Sequence, residues 1–246
     1  MPSQNLWKLG ATEEQVRSYF THKYKNVVPI NLCILFNIAM ADKNLFPSMN
    51  LSNNSTFQDY IDRWVCNYTE AEANPARLRV ASPKGSCNDP AVKTIVKMIT
   101  QTSDEDASVK ESHHNLFMSA ENVQGALLEE YIDSIISDHG WIWCKGNILR
   151  SVDFCTIDGS RLLQIKNKSN SENSSSSSVR DGTKIEKWYR LATKVEQGEK
   201  IPSYKWDNLN QIIESVSGKK CLLNETDYVK YVEEVAIANP YLITDQ

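Results

Sequence analysis

The chain has 246 residues, enough for one sizeable domain or two small ones and for a core that needs no disulfide or metal staples. With 41% hydrophobic and 24% charged residues, and only 9 Gly and 8 Pro, the composition is that of an ordinary globular protein and excludes disulfide scaffolds, coiled-coil rods and disordered tails. The net charge of −4, averaged over the whole chain, argues against a polyanion-binding protein.

The N-terminus lacks a basic stretch followed by an apolar one, so a secretory leader is not expected and the cytosol is the expected compartment. The longest apolar run, 27–40, is broken by Pro29, Asn31 and Asn37 and falls short of the roughly 20 residues of a membrane span. It reads as a buried helix. Six scattered cysteines show no paired ligand spacing and read as reduced structural thiols, and four histidines form no metal-binding array.

In chain order, the first hundred residues read as helical. Thr12-Glu13-Glu14-Gln15 is a capping-box start, and the patterning predicts helices over 12–24, 29–42, 56–68 and 90–101, the last with Pro90 in its first turn. The acid-rich stretch 102–111 reads as a linker or surface loop. An amphipathic helix follows from Ser119 to Ser137, with Val123, Leu127, Leu128, Tyr131, Ile132, Ile135 and Ile136 on its apolar side. Three short strands are predicted next, over 141–144, 148–157 and 161–166, separated by turn chemistry at Lys145-Gly146-Asn147 and Asp158-Gly159-Ser160. A polar Asn/Ser tract, a basic helix over 184–195, helices over 206–216 and 227–238 and a strand over 219–223 complete the expected order. The expected organisation is a helical part, 1–115, for dimerisation or for embracing a partner, and a core, 116–246, that carries the chemistry.

Residues two apart in a strand share a face, so Gln164 and Lys166 point one way and Ile165 the other. Folding the predicted strands about Asp158-Gly159-Ser160 brings Asp153 beside them. One carboxylate, one amide oxygen and one ammonium suit a hard cation such as Mg²⁺ that keeps several waters and bridges to a phosphate, with the lysine orienting or deprotonating the attacking water.

A helix, a meander, an Asp on the second strand and an acid-x-Lys on the third resemble the PD-(D/E)XK nuclease core. Val152-Asp153 stands where the pattern has Pro-Asp, and Gln164 where it usually has Glu or Asp. Losing that negative charge leaves either a weaker hold on the cation or a shift of ligation to another carboxylate. The resemblance implies an α/β (α+β) fold, with a central mixed β-sheet flanked by helices beside the helical N-terminal part. It also implies a helix carboxylate at the metal, and Gly125-Ala126-Leu127-Leu128-Glu129-Glu130-Tyr131-Ile132 matches its Gly-x-x-x-Glu-x-x-apolar pattern with Glu129 as the acid. The catalytic set so implied is Asp153, Gln164, Lys166 and Glu129, with Asp153, Gln164 and Glu129 as Mg²⁺ ligands.

From Asp153 to Arg190 the sequence is similar to the SinI-like type II restriction endonucleases: Gln164-Ile165-Lys166-Asn167-Lys168-Ser169-Asn170-Ser171-Glu172-Asn173-Ser174-Ser175-Ser176-Ser177, then Arg180, Gly182-Thr183 and Lys187-Trp188. This resemblance implies Mg²⁺-dependent double-strand cleavage of a short palindromic DNA site of the GGWCC type. It further implies a homodimer in the cytoplasm of a bacterium or archaeon, no membrane association, and a cognate methyltransferase in the same system that is not a stable subunit. Two other readings stay open: a non-catalytic DNA-binding protein on a degenerate nuclease core, and an interaction domain in which Asp153 and Lys166 form a structural salt bridge.

Small polar side chains and an arginine fork suit phosphate and base edges, so Asn167, Lys168, Asn170, Asn173, Ser174, Ser175, Arg180 and Thr183 are the expected DNA contacts, with Arg180 the candidate for guanine. On the predicted basic helix Lys184, Lys187, Arg190 and Lys194 would form one stripe, which adds Lys184 and Lys187 to the set. Residues 141–200 hold 11 Lys and Arg against 7 Asp and Glu, a local excess of +4 within a chain of −4. The charge objection to a polyanion therefore fails where it matters.

Overall fold

The computed structural model describes residues 3–80, 89–168 and 183–243. In chain order its main elements are β1 (Ser3–Gln4), α1 (Glu13–Lys23), α2 (Ile30–Ala41), β2 (Met49–Asn50), α3 (Phe57–Ala73), α4 (Pro90–Thr100), α5 (Asp104–Ile136), β3 (Trp141–Trp143), β4 (Phe154–Thr156), β5 (Leu162–Lys168), β6 (Ile185–Glu196), β7 (Glu199–Tyr204), α6 (Trp206–Ser217) and α7 (Glu225–Ala238). They form two compact units, each drawn from two stretches of chain: Met1–Asn74 with Tyr131–Glu225, and Pro75–Glu130 with Thr226–Gln246. The expected boundary at 115/116 therefore falls inside α5 and not in a linker.

In the first unit, reciprocal caps start α1 and α3. Thr12 Oγ1 accepts from the Gln15 N–H while Gln15 Oε1 accepts from the Thr12 N–H, and Thr56 and Asp59 repeat the arrangement. Each such cap is worth about 1 kcal/mol. The apolar run of α2 buries Leu32, Leu35, Phe36, Ile38, Ala39 and Met40. Phe20 stacks on Phe36 at 3.8 Å between centroids, and both rings lie edge-on to Trp64. Trp64 is fully buried, and its Nε1 donates to the Ile148 carbonyl at 2.8 Å, tying α3 to the chain that leads into β4.

The sheet runs in the order β3-β4-β5-β6-β7, with β5 and β6 parallel and the other neighbours antiparallel. This mixed sheet with helices agrees with the expected fold class. Ile142, Cys155 and Leu162 from one sheet face share a core with Leu6, Phe20, Phe36 and Trp64, and Ile185 packs against it. On the opposite face Trp188 meets Trp206 of α6 at 5.1 Å. The N-terminal helices are thus part of the sheet's own core.

Three expectations are corrected and one strand is added. The stretch 184–195 is a strand, not a basic helix: pairing with β5 imposes a period of two on Ile185, Lys187 and Tyr189 against Glu186, Trp188 and Arg190. The stretch 102–111 is mostly the first turns of α5, where Asp104, Glu105 and Asp106 meet the positive end of the helix and Ser103 Oγ accepts from the Asp106 N–H. Residues 219–223 form no strand, and β7, with Pro202 at the sheet's edge, carries no alternation strong enough to announce it.

In the second unit α4 and α5 form a hairpin held by Lys97–Asp104 at 2.9 Å and by Lys93 Nζ donating to Ser108 Oγ at 2.7 Å. Its small core joins Ala76, Leu127, Val235 and Leu242.

Candidate active site

The β4–β5 turn comes first, because it sets the register. Asp158 Oδ1 accepts from Thr156 Oγ1 at 2.6 Å and from the N–H and Oγ of Ser160, and these bonds hold its carboxyl down to about 2. Gly159 follows at φ +68°, and a Cβ there would stand 2.9 Å from Ile38 Cγ1. The turn pairs Phe154 with Leu163 and Cys155 with Leu162.

Asp153 sits one residue ahead of β4. Its N–H donates to the Leu163 carbonyl at 2.9 Å, its own carbonyl accepts from the Cys144 N–H at 2.8 Å, and its Oδ2 accepts from the Ile165 N–H at 2.7 Å. Asp153 therefore grips β5 on both sides of Gln164. Burial pushes its carboxyl above the ordinary carboxylate range, against the opposing pull of the Ile165 N–H and the Lys166 charge.

Gln164 is 6% exposed, and its Oε1 is buried with no hydrogen-bond partner. A buried amide oxygen left without a donor costs about 1–3 kcal/mol, so the site is built around something that oxygen should meet. Lys166, two residues on, shares its face and is half-buried. Among the described residues Lys166 forms no ion pair and no hydrogen bond, and its charge reaches Asp153 through space only. Among the described residues no group of three or more His, Cys, Asp or Glu could hold a metal. The donors on offer to a hard cation are one anchored carboxylate and one orphaned amide oxygen, a set that fits Mg²⁺ with water and phosphate completing its shell.

The other expected residues are dispersed. Glu129 is half-buried on α5 and belongs to the second unit, where its neighbour Glu130 is buried against Arg77. One turn further along α5, in the first unit, stands Asp133, a carboxylate sequence reasoning missed although it lies four residues after Glu129. Its carboxyl is raised by burial and held back by Lys145. Asn167 is on the sheet face opposite Gln164. Its Oδ1 accepts from Arg190 Nε at 2.9 Å, and Arg190, 9% exposed, also pairs with Glu225, which takes the Trp206 Nε1–H at 2.8 Å. Lys168 is exposed at the end of β5, and Thr183 and Lys184 are exposed ahead of β6. Lys187 is on β6, paired with Gln164. Asn170, Asn173, Ser174, Ser175 and Arg180 lie outside the described residues.

The chain is 34% identical to the type II restriction enzyme SinI of Salmonella infantis, over 68% of this chain and 70% of that protein. It is also 34% identical to the type II restriction enzyme Eco47I of Escherichia coli, over 69% and 71%. The SinI restriction endonuclease family matches residues 66–237, a stretch that contains the turn, the bracketing Asp153 and the whole five-stranded sheet. The chain therefore belongs to the SinI restriction endonuclease family and is an enzyme of the type II restriction class.

Proposed function

We propose that the protein is a Mg²⁺-dependent endonuclease that cuts both strands of a short palindromic DNA site of the GGWCC type. The observation that carries this reading is Asp153 bracketing Gln164, whose buried Oε1 is unpartnered, with Lys166 on the same face. Asp153 and Gln164 would hold the ion. Bound Mg²⁺ supplies Lewis-acid polarisation of the scissile phosphodiester. Lys166 orients the attacking water and offsets the charge that builds on the phosphoryl oxygens. The water oxygen bonds to phosphorus as the P–O bond to the leaving sugar oxygen breaks; the water gives up one proton and the leaving oxygen takes one up.

Lys168, Thr183 and Lys184, exposed at the two ends of the Asn/Ser tract, are proposed to contact the DNA, together with the tract's Asn170, Asn173, Ser174, Ser175 and Arg180. A palindromic site asks for a two-fold symmetric protein, so the acting species is a homodimer with one site per strand. No helix among the described residues is long and apolar enough to cross a membrane. The setting is the cytoplasm of a bacterium or archaeon, where a cognate methyltransferase acts separately.

Digestion of a plasmid of known sequence, with the fragment ends mapped, tests activity, site and stagger together. Fragments ending at GGWCC support the reading. Fragments that end at another sequence would overturn the site, and cleavage that persists without Mg²⁺ would overturn the metal dependence.

A further inference from the structure

Helix α4 is strongly amphipathic, yet its apolar side is bare. Val92, Ile95 and Ile99 recur at spacings of three and four and so form one stripe along the helix, with Met98 beside it. Val92 and Ile95 are each 57% exposed, Met98 70% and Ile99 77%, and no residue of α4 is buried. A helix of 11 residues is too short to persist in water on propensity alone, so its stability depends on what the apolar side packs against.

The polar side is already engaged. Lys97 pairs with Asp104, and Lys93 Nζ donates to Ser108 Oγ, both on α5. Those bonds turn the two lysines of α4 towards its hairpin partner and leave a stripe with no charge in it. Among the described residues nothing buries that stripe. Residues 1–2, 81–88, 169–182 and 244–246, which lie outside them, contain no Ile, Leu, Phe, Trp or Tyr that could do so.

On the reading above, in which a palindromic site asks for a two-fold symmetric protein, we infer that the stripe is covered by α4 of a second copy, packed antiparallel across the dimer axis. An isologous contact requires a surface complementary to itself. The stripe has a β-branched aliphatic residue at each end, so Val92 of one copy meets Ile99 of the other twice, and Ile95 lies near the axis opposite its own counterpart. The spacing is that of the a and d positions by which helices pair. A face without charge can meet its own copy without like-charge repulsion. The size fits as well: at roughly 100–140 Å² of exposed surface apiece, the four side chains of two copies bury about 1,000 Å², the lower bound of a specific interface before its rim is counted.

Sedimentation of the full-length chain and of the variants Ile95→Asp and Ile99→Asp tests the contact. Wild type is expected to be a dimer at micromolar concentration, and each variant should raise the dimer dissociation constant at least about a hundredfold while keeping its helical circular dichroism, because the substitution enters the interface twice. A second measurement does not depend on how the Asp variants fold. A short bis-maleimide should link Ile95→Cys into a covalent dimer at least about tenfold faster than it links wild type or Ile237→Cys, since the contact raises the local concentration of the two thiols; Ile237, on α7, is 82% exposed. Asp variants that remain dimeric, or linking no faster at position 95 than at 237, overturn the inference and leave the nuclease reading intact. A monomeric wild type overturns the inference and the homodimer together; if that monomer also floats with phosphatidylglycerol vesicles, the stripe is a membrane face instead. A wild type that dimerises through α4 but cuts no duplex overturns the nuclease reading and leaves the contact standing.

Discussion

Ile165 donates its N–H to Asp153 Oδ2 at 2.7 Å, so the carboxylate proposed to hold a cation is also a clamp between the chain entering β4 and the middle of β5. Its burial sets a conflict between stability and activity. The folded protein holds the Asp153 proton more tightly than the unfolded chain, whose value is near 3.8. The stabilisation from that proton is full below about pH 4 and is lost as the pH rises through the folded value. Asp153→Asn should therefore melt higher than wild type at pH 7.5, by about 2–4 °C for each kcal/mol relieved. The gap should close towards pH 4, and the variant should cut no DNA. Equal melting at pH 7.5 would refute the account.

Gln164→Glu should act in the opposite sense. A second carboxylate strengthens an oxygen-ligand site, so the Mg²⁺ concentration for half-maximal cleavage should fall roughly tenfold. Without metal the new charge is buried beside Asp153, and Tm should drop. Titrating cleavage against Mg²⁺, with a melt in chelator, reads both effects.

Asn167→Ala removes the acceptor of Arg190 Nε. A hydrogen bond to a charged, buried guanidinium is worth about 1.5–3 kcal/mol, and urea denaturation should show a loss of that order. The preferred cleavage site should not change. Relaxed site preference with unchanged stability would place Asn167 at the DNA instead.

Gly146→Ala should cripple folding. Gly146 has φ +73°, and a Cβ there would lie 2.3 Å from the Asn67 carbonyl oxygen of α3. The left-handed backbone costs about 1–2 kcal/mol and the collision about 1–3 kcal/mol more. Soluble yield and Tm should both fall; a variant that melts with wild type would show that α3 stands further away.

DNA binding should weaken steeply with salt despite a pI near 5.7. Each phosphate neutralised by Lys or Arg contributes about 0.9 to the slope of log K against log salt. The +4 excess of residues 141–200 predicts a slope of several units. A flat dependence, measured by fluorescence anisotropy, would remove the basic surface from the account.

The hairpin and the Asp153, Gln164 and Lys166 set were legible because they are close in sequence: a ten-residue gap, a strong turn and a period of two leave few ways to fold. The strand β6 was not. Lys184, Lys187 and Arg190 are spaced three apart, which satisfies a helix, while Ile185, Lys187 and Tyr189 satisfy a strand, and only pairing with β5 decides between them. The role of Asn167 was hidden for a related reason. Its partner Arg190 is 23 residues away, on a face that could not be assigned until β6 was known to be a strand. The division into units was not legible either, because the first unit joins Phe20, Phe36 and Trp64 to Ile142, Cys155 and Leu162, and such distant contacts leave no local pattern.

That union of early and late segments bears on how the chain matures on the ribosome. Residues 1–74 emerge first, yet the strands that cover their aromatic cluster follow only after residue 140. With the intervening unit synthesised in between, the nascent helices must wait for a covering surface about 70 residues away, an interval of several seconds at ordinary elongation rates. Chains stalled at residue 130 should be cleaved readily by protease in that first segment, whereas chains stalled well past residue 225 should resist, so the strands of the sheet act as the late keystone of a fold begun at the opposite end.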